Sequence, residues 1–183
     1  MSDDTIVRHC APTLAGLKTG NIFTVSFHSE QVLDEELRRI GRVLSAKGLR
    51  IRKLRVRDGR ALIYVFRPSR LQADLLEHEA REILRRFGYI CADNDSCIER
   101  LVERIDTEQG FPHEIGLFLG YPPEDVSGFI DCCGRNCKLC GYWKVYGDVH
   151  EAKKRFAKYK KCTCVYLKCL QKGVSLSRLA VDI

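Results

Sequence analysis

The sequence predicts an α+β domain: a small antiparallel sheet with a central hairpin, surrounded by five or six helices. Three observations predict it. Asp58-Gly59 stands between two β-rich arms, "LRIRKLRVR" and "ALIYVFR", and both positions tolerate the positive φ of a two-residue hairpin turn. Apolar residues recur at three- and four-residue spacing in several stretches bounded by capping residues and glycines. The 183 residues are 45% hydrophobic and 30% charged, which supplies a core without disulfide staples and suits a single domain over Met1–Ile183. Its first part, 1–90, reads as loop, helix, hairpin and helix. The remainder, 91–183, reads as helices, a Cys-rich loop, a long helix and a final strand.

Taken in order, "HCAPTLAGLKTGNIF" reads as an ordered loop with one short helical turn, because Pro12, Gly16 and Gly20 interrupt it. "TVSF" reads as a short strand. Ser29 caps a helix from about Glu30 to Lys47, with Leu33, Leu37, Ile40 and Leu44 on one face and Gly48 after it. In the first hairpin arm Leu49 and Ile51 share one phase while Leu54 and Val56 take the other, which predicts a bulge near Arg52–Lys53. Ser69 and Gln72 form a capping box for a second helix burying Leu71, Leu75, Ala80, Ile83 and Phe87, with Gly88 as its stop. "SCIE" opens a third helix, and two short helices follow at "PHEIGLFLG" and "PPEDVSGFI". "DVHE" caps a long helix from Val149 to Gln171, and "SLSRLAV" alternates as a returning strand.

Four cysteines fall within Cys132–Cys140, in "DCCGRNCKLCGYW". Cys137-x-x-Cys140 can wrap two thiolates around one ion, with Cys132 or Cys133 as a third ligand and Cys10, Cys162 or Cys169 as a fourth. The cofactor would be zinc or an iron–sulfur cluster. Cys133, Cys137 and Cys140 also share the spacing of the radical S-adenosylmethionine cluster motif. That motif follows the first strand of a large αβ barrel, and only a short stretch follows Cys140 here, so the match is set aside. The other readings are redox cycling between dithiol and disulfide and thiols with no function. On a helix Cys162 and Cys164 diverge by about 200° at ~100° per residue and cannot share an ion.

Cys10 is a second centre, as a nucleophile activated by His9 or Lys18 or else as a small buried hydrophobe. Glu114 and Asp125 are the acid–base candidates beside it. Tyr121, in the rigid "GYPPED" turn, with Trp143 and Lys144, is a candidate cofactor wall, core packing being the alternative for Trp143. His113 opens a helix and could reach a site.

The net charge is +7, and Lys138–Lys172 holds ten Lys or Arg against two acids. "RIRKLRVR" is a second basic run. The charge suits solvated faces or a polyanion surface, but no nucleic-acid motif accompanies it, so nucleic acid ranks below an acidic electron-carrier protein as partner. No apolar run approaches a membrane span, and no signal segment stands in "MSDDTIVRHC". The cytoplasm, where thiols stay reduced, is the expected compartment.

"HCAPTLAGLKTGNIF", "HEIGLFLGYPPEDVSGFI", "CGYWKVYGDVHEAKKRFAKYKKC" and "SLSRL" resemble a family of anaerobic bacterial proteins known as a domain of unknown function (DUF3793-like). The resemblance runs from Cys10 to Leu179 and implies a single-domain cytoplasmic protein of about this length. It groups the phrases around Cys10, Lys18, Glu114, Tyr121, Asp125, Trp143 and Lys144, which are expected to meet in one pocket. The preferred reading is a thiol-based accessory protein of anaerobic metabolism that binds a metal, or exchanges electrons or sulfur, through Cys132–Cys140. The alternatives are a small enzyme centred on Cys10 and a polyanion-binding module on Arg50–Arg57 and Lys153–Lys161. Whether the chain is an enzyme stays open.

Overall fold

The computed structural model describes residues 2–90, 92–107 and 111–182. Along the chain come α1 (Asp3–Leu14), β1 (Gly20–Ser26), α2 (Glu30–Ser45), β2 (Arg50–Arg57), β3 (Arg60–Phe66), α3 (Pro68–Leu76) and α4 (His78–Arg86). Then follow α5 (Asn94–Thr107), α6 (Ile115–Phe118), α7 (Pro123–Asp131), β4 (Leu139–Cys140), β5 (Lys144–Val145), α8 (Val149–Gln171) and α9 (Leu176–Leu179). The α+β class is as expected. The chain divides into two compact units, one of Met1–Ser69 with Tyr159–Ile183, the other Arg70–Lys158. Among the described residues no helix is long and apolar enough to cross a membrane.

The first unit is built on the hairpin. Asp58 and Gly59 take φ of 50° and 69°, so the turn forms where the dipeptide placed it. The sheet is antiparallel in the order β1-β3-β2. The register of β2 on β3 shifts between Lys53 and Arg55, the bulge that the change of apolar phase required. Ala61, Ile63 and Val65 alternate along β3 into a core with Phe23, Leu49, the α2 residues Leu33, Ile40 and Leu44, and the α9 residues Leu176 and Leu179. Tyr64 and Phe66 stack on the opposite face at 4.6 Å.

Several expectations need correction. The segment before β1 is a helix rather than a loop. Ile6, Val7, Cys10, Ala11 and Leu14 are all buried on one face of α1, and Ser2 caps it by accepting from the Thr5 amide. Pro12 sits in the last turn, where its missing N–H removes one bond only. What fastens that end is Arg67. Its guanidinium donates to the carbonyls of Thr13 and Leu14 at 2.8 Å each, of Val181 at 2.8 Å and of Lys47 at 3.2 Å. A cation there also meets the negative end of the helix dipole.

Second, the helix expected over 69–87 is two helices. Pro68 rather than Ser69 opens α3, so the Ser69–Gln72 box does not form at the cap. From Leu75 to Ala80 the apolar stripe takes a step of five, roughly 140° out of phase at ~100° per residue. The break at Glu77 restores it. Third, "SLSRLAV" is the short helix α9, because Leu176, Leu179 and Ala180 reach the core at helical spacing. The cap of α5 also differs from "SCIE": Asp93 and Ser96 bond reciprocally, each accepting from the other's amide.

In the second unit α5 buries Ile98, Leu101 and Ile105, and Leu117, Phe118 and Val126 are buried on α6 and α7. Within "GYWKVYGD" only Lys144–Val145 is extended, as β5 paired with β4.

Replacing Arg67 by Met leaves buried carbonyls unmet and is expected to lower stability by about 3 kcal/mol. Arg67→Lys, which keeps the charge but not the fork, should lose less. Urea denaturation of the two variants measures both.

Candidate functional site

In the second unit Asp125 builds the site. It lies in the first turn of α7, buried, behind the Pro122-Pro123 entry. One carboxylate oxygen accepts from the Tyr146 and Gly147 amides, both at 2.7 Å, and the other from the Trp143 indole at 2.6 Å. Three donors on one buried carboxylate hold the β4–β5 hairpin against α7. Asp125 therefore positions the hairpin, with three donors of the fold taking up most of its acceptor sites.

Trp143, fixed by that bond, stacks on Tyr121 at 4.8 Å and meets the edge of Phe156 at 4.5 Å. The Tyr121 amide donates to Gly116 at 2.9 Å, which closes the turn after α6. Gly116 and Gly141 let side chains approach closely. A Cβ on Gly116 would meet Val126 at 2.7 Å, and one on Gly141 would collide with Phe156.

These groups enclose a cavity of about 270 Å³. Tyr121, Trp143, Phe129, Ile115 and Val126 form apolar walls, and His113, Lys144 and Cys140 bring polar groups. The Lys144 ammonium donates to the Gly134 carbonyl at 2.7 Å and lies 5.7 Å from the centre of the Phe129 ring. His113 touches the same ring edge-on at 4.8 Å. Cys140 and Lys144 are paired directly across the β4–β5 ladder, so their side chains leave the same face, with Cβ atoms about 5 Å apart.

Thus Tyr121, Trp143, Lys144, Asp125 and Cys140 line one cavity. Phe129, Phe156 and the two glycines were missed. Phe129 and Phe156 look like ordinary helix residues in the sequence, and no local signal marks them.

Cys132, Cys133, Cys137 and Cys140 are free thiols, with Cys133 and Cys140 exposed and the other two half-buried. Burial, then the charges of Cys137 and Cys132, push the Tyr146 phenol up. Among the described residues no three His, Cys, Asp or Glu side chains gather so as to hold a metal ion.

Glu114 is buried apart from the cavity lining. It accepts from the Tyr89 hydroxyl at 3.0 Å and pairs with Arg104. Burial and then this carboxylate push the Tyr89 phenol up.

Cys10, Lys18 and Cys162 belong to the first unit. Cys10 is fully enclosed in its core, and burial pushes the thiol up while nearby Lys18 pulls the other way. His9 stacks on Phe23 at 4.9 Å. The buried Lys18 amine donates to the Gly20 carbonyl, and burial pushes it down to about 7. Cys162 is half-buried on α8, donates to the Ala11 carbonyl at 3.5 Å and is pushed up by burial to about 11. α8 is helical at "KCTCV", so Cys162 and Cys164 point apart.

The family described as a protein of unknown function (DUF3793) matches residues 6–180. The chain belongs to that family. No curated protein matches it, and no solved structure does. The family match spans the whole aromatic cavity as well as Cys10 and Lys18.

Two predictions arise from these buried groups. Asp125→Asn sets an amide N–H against a backbone or indole donor. It should cost about 2 kcal/mol and shift Trp143 emission to the red as the indole gains water. Lys18 stays neutral in the fold down to about 7, whereas its ordinary value is 10.5. Between those values the unfolded chain binds the extra proton, so stability from this side chain is greatest above the window and falls as pH drops through it. Denaturation across that window should show the wild type losing stability relative to Lys18→Met as pH falls.

Proposed function

We propose that the protein is a thiol-exchange accessory protein, with Cys140 as the working thiol at the mouth of the aromatic cavity. One observation carries the reading: Cys140 and Lys144 face each other across a two-strand ladder, and both line a largely apolar pocket. Among the cysteines, Cys140 combines exposure with a place in that cavity.

The chemistry is exchange with a small disulfide. The Cys140 thiolate attacks one sulfur, a new S–S bond forms and the old one breaks. The electron pair leaves on the departing thiolate, beside the Lys144 ammonium, and water protonates it. Exchange of electrons suits the loop better than a closed metal site, which needs converging ligands. A reducing cytoplasm would regenerate the thiol. Exposed Lys153 and Lys158 on α8 suit an acidic electron-carrier protein as the partner, in keeping with anaerobic metabolism. The Cys10 enzyme reading is less favoured, because an enclosed core thiol offers no access to a substrate.

The test uses a limiting amount of hydroxyethyl disulfide and maps the first mixed disulfide by mass spectrometry. Cys140 should react at least about tenfold faster than exposed Cys133 and Cys164. Lys144→Met should erase much of that lead. Equal rates at the three thiols would remove Cys140 from this role.

A further inference from the structure

We infer that the cavity takes a flat aromatic ligand bearing a carboxylate or similar anion, its ring between the aromatic walls and its charge on Lys144. This names the substrate class of the same site and rests on the thiol-exchange reading for its use, though not for its physics.

The walls argue for a ring. Tyr121 and Trp143 are held in a stack, Phe129 faces the same space, and Ile115 and Val126 add apolar area. Aromatic surfaces fixed by neighbours lose little freedom on binding, and offset or edge contacts with a ligand ring suit them. About 270 Å³ admits one substituted ring or a fused pair and little more.

The charges argue for an anion. Lys144 carries the permanent positive charge among the lining residues, and His113 packs edge-on against Phe129. An ammonium has three donors; Lys144 commits one to Gly134 and keeps two for a ligand. The lining carboxylate, Asp125, is buried and spends most of its acceptor sites on three donors of the hairpin, so Lys144 is the more available charge for a ligand. A carboxylate on the ring replaces lost water with charge-assisted bonds from Lys144. A cationic ring would meet like charge.

Trp143 is the only tryptophan of the chain and is 6% exposed. Its static quenching therefore reports filling of this cavity. Cys140→Ser protein is titrated with para-nitrobenzoate, para-nitrobenzyl alcohol and para-nitrobenzylammonium, with unchanged fluorescence lifetime as the mark of a bound complex. The anion should bind about tenfold more tightly than the alcohol, worth about 1.4 kcal/mol, and the ammonium compound most weakly. Lys144→Met, in the same background, should bring anion and alcohol to equal affinity. No saturable quenching, equal affinities in the parent protein, or a preference that survives Lys144→Met would overturn the inference. The two readings fail separately. Fast labelling of Cys140 by hydroxyethyl disulfide without nitrobenzoate binding would sink the ligand class alone. Nitrobenzoate binding with uniform thiol labelling would sink thiol exchange alone.

Discussion

A buried charge must be met by hydrogen bonds or it unfolds what surrounds it. Each unit of this protein is organised around one such charge bonded mainly to backbone. In the first unit the Arg67 guanidinium gathers carbonyls from the end of α1, from the turn after α2 and from the segment after α9. These stretches are far apart in sequence, and the guanidinium fork brings them to the end of β3. The Val181 amide adds a bond to the Leu14 carbonyl at 3.0 Å, so α1 and the C-terminal segment close on each other there.

Asp125 performs the complementary task in the second unit. A carboxylate accepts where a guanidinium donates, and it collects two amides and an indole N–H from the hairpin. This explains how two strands of two residues each hold their shape. Such a ladder is too short to be stable alone. Its anchor is the buried acid, and the aromatic packing of Trp143 against Tyr121 and Phe156 follows from it. The thiol of Cys140 and the amine of Lys144 inherit their positions from that hairpin.

The four thiols of Cys132–Cys140 are close in sequence but differ in surroundings. Cys133 and Asn136 adopt positive φ, at 49° and 58°. The chain thus turns sharply between successive thiols, leaving Cys132 and Cys137 within electrostatic reach of Tyr146 and Cys140 on the cavity. Dense spacing brought the loop to notice. Backbone turns put its thiols in different surroundings.

Local patterns by themselves determined the hairpin at Asp58-Gly59, the bulge in β2, the Ser29 cap, α8 and the α+β class, because turn geometry, capping and apolar period act over a few residues. Of the seven residues expected to meet in one pocket, Tyr121, Asp125, Trp143 and Lys144 line the cavity, while Cys10, Lys18 and Glu114 are not among its lining. Only the tertiary structure decided that α1 is a helix, since its Pro and Gly content speaks against one and the burial of Ile6, Val7, Cys10 and Leu14 overrules it. It likewise turned "SLSRL" into α9, because the core takes Leu176 and Leu179 on one side of a helical turn. It also separated residues whose types had suggested a shared chemistry. Cys10 went into the core of one unit, and Asp125 became an anchor in the other. A side chain's chemistry depends on its burial and its partners, and those are supplied by segments remote in sequence.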